Sequence, residues 1–307
     1  MKVLITGKEG YLQNFVQRWL ERWPNEFEIS SISIRDDIWK LHDLSQYDAI
    51  LHFASIVHVK ENDDTFALYD KVNHVLTTEL AEKAKKEGVS HFIYMSSMSV
   101  YGLDGSISGR QEINRDTPYN PKTQYGKSKL AAEAALKKMQ DGKFCISVIR
   151  APVIYGPGCP GNYAKLREQV LRLGFFPDLG NKKSMLFVLN FTELIRLILL
   201  NGGDETYYPQ NKETVNTYSM AKAIKKLHSK DLKQSRLLSF LLKASSVLSI
   251  SLINKSFGSL YYDHCLSGHF NWGYCLYDFD DSIMLTEKYW DDKYALLSDI
   301  LCENIPV

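Results

Sequence analysis

The chain lacks any CxxC pair: its five cysteines, Cys145, Cys159, Cys265, Cys275 and Cys302, are scattered over 307 residues. That usage excludes a disulfide scaffold and suits free thiols in a reducing compartment. His264, Cys265, His269 and Cys275 lie near one another, but their spacing matches no closed zinc site. No metal is expected, and aromatic packing around Phe270, Trp272 and Tyr274 accounts for the segment. An excess of one charge is also missing. Lys+Arg 37 against Asp+Glu 36 leaves +1, without the basic footprint of a nucleic-acid binder. No basic segment or apolar signal core precedes the first apolar run, Met1-Lys2-Val3-Leu4-Ile5, so a cytoplasmic protein is expected. Long apolar runs are absent too. The stretch 237–253 comes nearest, with Leu237, Leu238, Phe240, Leu241, Leu242, Val247, Leu248, Ile250, Leu252 and Ile253, but Lys243 and several serines break it. It is too interrupted for a membrane span and reads as a packed helix, with contact to a membrane surface as the alternative.

What remains is an ordinary globular composition, 45% hydrophobic and 24% charged, long enough for a sizeable core. Through the first half, short apolar runs alternate with helical patterns. Strands are expected at residues 1–5, 27–34, 48–53, 91–95 and 143–149, with helical periodicity over 14–23 and 76–87. Strands separated by helices predict an α/β fold with a doubly wound parallel sheet covered on both faces. Ligands of such sheets bind beyond the carboxyl ends of the strands. After about residue 155 the pattern loosens around Gly156-Pro157-Gly158 and Pro160-Gly161. The expected division is a dinucleotide-binding domain over 1–155 and a smaller, irregular α/β lobe over 156–307, from which elements can return to the sheet.

The first strand runs into Thr6-Gly7-Lys8-Glu9-Gly10-Tyr11-Leu12-Gln13. In a dinucleotide-binding turn the first glycine makes the turn, the second admits the pyrophosphate and the third lets helix pack on strand. Gly7 and Gly10 supply the first two. Gln13 stands in the third place, so the helix must stand off or Gln13 must turn aside, and weakened cofactor binding is expected. At the end of the second strand a carboxylate favours NAD and an arginine favours NADP. Arg35 falls at that position in Ser33-Ile34-Arg35-Asp36 and favours NADP; a shift of one residue would bring in Asp36 and favour NAD.

Tyr125 and Lys129 are four apart at the start of the helical run KSKLAAEAALKKM, hence on one face. A tyrosine of ordinary pKa, about 10, is a poor acid or base near neutrality. A neighbouring ammonium that favours the phenolate is expected to lower it. Directly after a strand stand Ser96-Ser97-Met98-Ser99-Val100-Tyr101-Gly102. This serine segment, then PYNPKTQYGKSK, then VIRAPVIYGPG resembles the extended short-chain dehydrogenase/reductase family of nucleotide-sugar epimerases, dehydratases and ketoreductases. The resemblance runs over nearly the whole chain and is strongest over 91–158.

The resemblance implies a Rossmann-type fold and a catalytic set. Ser97 would hydrogen-bond the reacting sugar oxygen, Tyr125 would be the general acid/base, and Lys129 would tune Tyr125 and hold the nicotinamide ribose. It implies cofactor contacts at Gly7, Gly10, Tyr11 and Leu12, at Arg35, at Asp43 and Leu44 beside the adenine, and at Phe53, Ala54 and Ser55. Asn73 and, towards the nicotinamide, Pro152 and Val153 complete that set. Asn162 and Lys183 match segments that hold the sugar or diphosphate. The family's dehydratases carry an acidic pair after the catalytic serine; Met98 and Ser99 cannot act so. The expected activity is therefore 4-ketoreduction or 4-epimerisation of a UDP-linked hexose for cell-surface polysaccharide, by a homodimer, with NADP favoured over NAD. Arg35 and Gln13 tilt it towards the NADPH-consuming ketoreductase. The rival readings are a non-catalytic dinucleotide sensor and an epimerase of a polyprenyl-diphosphate-linked sugar.

Overall fold

The computed structural model describes residues 1–8, 10–57, 63–245 and 251–302. The strands are β1 (Lys2–Thr6), β2 (Glu28–Ile32), β3 (Ala49–His52), β4 (His91–Ser97), β5 (Arg110–Ile113) and β6 (Cys145–Ala151). They continue with β7 (Val153–Tyr155), β8 (Phe175–Phe176), β9 (Met185–Phe187), β10 (Thr206–Tyr207), β11 (Lys233–Gln234) and β12 (Ser259–Tyr262). The helices are α1 (Tyr11–Leu20), α2 (Asp63–Asp70), α3 (Leu76–Lys86), α4 (Gln124–Met139), α5 (Asn162–Arg172) and α6 (Val188–Asn201). Beyond them lie α7 (Thr217–Leu227), α8 (Arg236–Ser245), α9 (Ser251–Phe257), α10 (His264–Ser267), α11 (Phe279–Lys288) and α12 (Lys293–Cys302).

The chain divides into two compact units. The first comprises residues 1–102, 118–151 and 192–208, and the second 103–117, 152–191 and 209–307. Both units are therefore discontinuous in sequence. A fragment cut near residue 155 would leave β10 out of the sheet.

In the first unit six strands form one parallel sheet in the order β10-β6-β4-β3-β1-β2. This is the doubly wound α/β architecture. The apolar runs explain it: Val3, Leu4 and Ile5 of β1 and Ile50 and Leu51 of β3 are wholly buried, as strands covered on both faces require. Helices α1 and α3 turn largely apolar faces inward. From α1 these are Phe15, Val16, Trp19 and Leu20; from α3, Leu80, Ala81 and Ala84. Leu80, Ala132 and Leu136 meet Ile50, Phe92 and Phe144 in one core. Neighbours on opposite sides of β1 are β2 and β3, so the order reverses at β1. A crevice at the carboxyl ends of β1 and β3 is the ligand position of such sheets.

Strand β2 stops at Ile32, two residues short of the expected end. Beyond it, Asp36 caps a short 3-10 turn over Asp37–Leu41, its carboxylate accepting from the Ile38 amide at 3.1 Å. The second unit holds three parallel strand pairs, β5–β12, β7–β9 and β8–β11, among its helices. Its core is aromatic, with Tyr155 stacked on Tyr163 at 5.4 Å and bonded through its hydroxyl to Ser282 at 2.6 Å. Among the described residues no helix is long and apolar enough to cross a membrane, and no group of three or more His, Cys, Asp and Glu side chains is placed to hold a metal ion.

Candidate active site

The turn after β1 is fixed from below by a buried polar chain. His52 Nδ1 lies 2.7 Å from the Thr6 hydroxyl and Nε2 lies 2.9 Å from the Thr77 hydroxyl, which itself donates to the Asn73 carbonyl. Since Thr77 spends its proton there, His52 carries its proton on Nε2 and accepts from Thr6. Burial, aided by the Lys129 charge, pushes His52 down to about 3, so the imidazole stays neutral.

Gly7 sits at φ +100°, a conformation that only glycine adopts without strain, and a Cβ there would come within 3.4 Å of the Ala54 backbone. The first turn thus lies close against the segment that follows β3. Gln13 settles the question raised by its place in the motif. Its carboxamide folds back over the turn, with Nε2 2.1 Å from where a Gly7 Cβ would stand and Oε1 1.5 Å from that of Gly10. Nε2 also donates to the Thr6 carbonyl at 3.4 Å. The space that the two glycines leave open is therefore filled by the chain's own side chain. The cradle still fits a dinucleotide pyrophosphate. The helix behind it presents its N-terminus with no side-chain cap, an arrangement that attracts anions, and the filler is the far end of a flexible side chain. Entry of a phosphate requires that Gln13 swing out and give up a hydrogen bond of net worth about 1 kcal/mol. Gln13→Ala is accordingly expected to tighten NAD(H) binding about fivefold, read as quenching of tryptophan fluorescence. Unchanged affinity would show that the carboxamide lies clear of the bound phosphates.

Ser97, Tyr125 and Lys129 converge within the first unit. Ser97 ends β4 in extended backbone, and its Oγ accepts from the Ser99 amide at 3.2 Å, opening the short turn over Met98–Tyr101. Helix α4 begins beside this turn, its N-cap Thr123 accepting from the Gly126 amide at 3.1 Å. Gly126 permits the approach, since a Cβ there would stand 2.7 Å from the Ser99 carbonyl oxygen. The helix start brings the Tyr125 phenol beside the Ser97 hydroxyl, close enough for the serine to favour the phenolate. Tyr69 packs edge-on against the Tyr125 ring at 6.4 Å. One turn on, Lys129 is buried; its Nζ donates to the Met95 carbonyl at 2.7 Å and lies 5.8 Å from the centre of the Tyr125 ring.

The electrostatics differ from the sequence expectation. Desolvation pushes the Tyr125 phenol up to about 12, and the neighbouring Ser97 hydroxyl opposes this without cancelling it. Burial pushes Lys129 down to about 7, with the Glu133 carboxylate pulling the other way. The lysine does not lower the tyrosine in this state, because its ammonium is turned onto the strand carbonyl.

The remaining expected cofactor residues of the first unit lie at separate places. Asn73 is wholly buried and ties elements together: it accepts from the Ile56 amide at 2.9 Å and donates to the Ile56 carbonyl at 3.0 Å and Ser128 Oγ at 3.2 Å. Phe53, Ala54 and Ser55 follow β3, beside the Gly7 turn. Past β2, an open cleft of about 410 Å³ is lined by Lys8, Ser33, Asp36, Trp39 and His42, among others. Arg35 is exposed next to it in sequence, and Lys8 is a cation at this cleft that sequence reasoning missed; its place directly after Gly7 was the available signal. Asp43 is exposed and spends its carboxylate on Ser45, at 2.9 Å to the amide and 2.7 Å to the hydroxyl, while the neighbouring Leu44 is in the core.

Pro152, Val153, Asn162 and Lys183 belong to the second unit. Val153 opens β7, and Asn162 is exposed at the first position of α5. Lys183 is occupied: its Nζ donates to the Lys255 and Ser256 carbonyls at 2.6 and 2.9 Å, at the end of α9, and burial pushes it down to about 8.

Residues 3–208 match the model of the NAD dependent epimerase/dehydratase family. A UDP-glucose 4-epimerase of Vibrio cholerae is 32% identical over 175 residues, covering 55% of this chain and 52% of that protein. The chain thus spans about half the length of that relative. An N-acetyl-alpha-D-glucosaminyl-diphospho-ditrans,octacis-undecaprenol 4-epimerase of Escherichia coli O157:H7 is 29% identical over 236 residues, covering 70% of this chain and 68% of that one. Among solved structures, the UDP-glucuronic acid 4-epimerase of Bacillus cereus, crystallised with NAD, superposes with a TM-score of 0.72 at 19% identity, over 96% of this chain and 98% of its own. That likeness is one of fold.

Proposed function

Since the chain belongs to the NAD dependent epimerase/dehydratase family, we propose that it is an NAD(P)-dependent 4-epimerase of a diphosphate-linked hexose. The observation that carries this reading is the convergence of the Ser97 and Tyr125 side chains at the end of β4, with the buried Lys129 side chain one helical turn behind. A sugar hydroxyl placed between the two would be oriented by Ser97 and would lose its proton to the Tyr125 oxygen as its carbon is oxidised. A dinucleotide held there would supply the hydride acceptor and donor for C4. Tyr125 gives the proton back to the 4-oxygen after the sugar presents its other face. Because the phenol is held high in the free fold, this role requires Lys129 to turn from Met95 towards the tyrosine in the loaded site. Met98 and Ser99 offer no acid pair, which speaks against dehydration.

Gly7, Gly10, Tyr11 and Leu12 at the turn, Phe53–Ser55 beyond β3, and Lys129 would hold the dinucleotide, with Pro152 and Val153 towards the nicotinamide. NAD is the cofactor in the family's name and in the Bacillus cereus complex; Arg35 and Lys8 beside the β2 cleft support NADP. On the substrate, exposed Asn162 is the better contact, because Lys183 would have to release two helix carbonyls. UDP is the proposed carrier, in a cytoplasmic homodimer serving cell-surface polysaccharide. A polyprenyl-diphosphate carrier is the second reading, favoured by the Escherichia coli relative matched over 70% of this chain.

The test is incubation with UDP-N-acetylglucosamine and UDP-glucose, with NAD, NADP or no added cofactor, followed by proton NMR. The expected product is the C4 epimer without net consumption of dinucleotide. Stoichiometric NADPH oxidation with a 4-keto sugar would instead establish the ketoreductase. Dinucleotide binding without turnover of UDP-linked or polyprenyl-linked sugars would favour the sensor.

A further inference from the structure

Helix α8 is mounted the wrong way round for a surface helix in water. Ser239 is its buried residue, accepting from the Asp178 amide at 3.0 Å and donating to the Ser235 carbonyl at 2.9 Å. Leu237, Phe240 and Leu241 are turned outward and are 70%, 68% and 52% exposed. At positions i, i+3 and i+4 they form one stripe on a helix about 15 Å long. Phe175 extends the patch: it is 52% exposed on β8, paired in register with Lys233 of β11, which runs directly into α8.

The segment of sequence that carries this stripe is strongly basic. From residue 222 to 255 the sequence has eight lysines and arginines against one acidic residue, Asp231. In a chain of net charge +1 that is a marked local concentration. Lys230, Lys233, Arg236 and Lys243 are all exposed on or just before α8. An exposed apolar stripe rimmed by cations, on a helix too short to span, is the pattern of a helix lying in the plane of an anionic bilayer. A protein interface of the same chemistry would need an acidic partner, and the segment that carries the stripe holds a single acidic residue, Asp231.

We infer that α8 docks the second unit onto the surface of an anionic membrane, the stripe entering the headgroup region and the cations facing lipid phosphates. The docking does not depend on which sugar carrier the active site takes. Within the stretch 237–253, for which the sequence offers a packed helix or contact with a membrane surface, residues 246–250 lie outside the described residues, and α8 is described without them.

The experiment is co-sedimentation of the full chain with vesicles of phosphatidylcholine alone or with 30% phosphatidylglycerol. Binding to the anionic vesicles is expected to exceed binding to the neutral ones at least tenfold and to fall at least tenfold in 0.5 M salt. Phe240→Ser combined with Leu241→Ser should abolish sedimentation while far-UV circular dichroism and NAD(H) titration stay unchanged. Lys233→Glu combined with Arg236→Glu should remove the anionic preference. No sedimentation of the wild-type chain, or equal binding by the serine variant, would overturn the inference. So would a dimer in gel filtration that the serine variant dissociates, since the stripe would then be covered by a second copy. Because these vesicles carry no sugar, failure here leaves the epimerase reading untouched, and failure of turnover leaves docking untouched.

Discussion

Tyr125→Phe is expected to lower turnover of the C4 epimerisation by about 10²–10⁴-fold, the contribution of one positioned proton-transfer group. The substitution removes only the phenolic oxygen. The ring still packs edge-on against Tyr69 and the helix start is still fixed by Thr123 and Gly126. NAD(H) affinity should stay within about twofold, because the turn glycines and Lys129 are untouched. The effect should therefore appear in the chemical step and not in the fold, and it is read as steady-state rate beside a fluorescence titration. Ser97→Ala should act in the same direction, with a further signature: the serine hydroxyl that favours the phenolate is gone, so ultraviolet titration should place Tyr125 ionisation higher than in the wild type. Turnover retained within tenfold in Tyr125→Phe would remove the tyrosine from the reaction and with it the proposed mechanism.

The parts of this molecule that were legible in its sequence are those fixed by pattern. Val3, Leu4 and Ile5 read as a buried strand because a two-sided sheet demands continuous apolar runs, and β4 and β6 followed for the same reason. Ser97, Tyr125 and Lys129 were legible because each stands at a fixed offset from a strand end or helix start. What escaped depended on side-chain direction. Nothing in the spacing of Gln13 says that its carboxamide folds onto Gly7 and Gly10, nor that Lys183 turns to the carbonyls of α9. Helix spacing does not give the direction of the Tyr125 shift either: Lys129 bonds the Met95 carbonyl, and desolvation raises the phenol. In α8 the apolar positions were visible, but which face was seated depended on Ser239 meeting the Asp178 amide from another part of the chain.

Arg150 carries the largest expected effect on stability. It stands opposite Ser96 in the β4–β6 register and is buried with Glu133 of α4, their side chains 5% and 8% exposed. Nη2 donates to Glu133 Oε2 at 2.6 Å, Nε lies 3.2 Å from both carboxylate oxygens, and Nη1 donates to the Tyr101 hydroxyl at 2.9 Å. Ser96 donates to the same carboxylate, and the guanidinium lies over the Tyr119 ring at 4.3 Å. Burial works against the charge on Arg150, but the hydrogen bonds to Glu133 outweigh it and raise its pKa. Removing one partner leaves a buried charge uncompensated, so Arg150→Met should cost about 3–5 kcal/mol and lower the unfolding midpoint by on the order of 10 °C. Removing both should cost less: Arg150→Met with Glu133→Leu is expected to recover more than half of the loss, because an apolar pair avoids the desolvation penalty. The pair also sets geometry. Glu133 lies one helical turn beyond Lys129, and Ser96 precedes Ser97, so the network holds α4 against the end of β4 where Tyr125 meets Ser97. The double variant should therefore regain its midpoint in thermal unfolding and still turn over more slowly than wild type. Full recovery of both would reduce the network to packing; a midpoint as low as that of Arg150→Met would show that the shape of these side chains matters more than their charge.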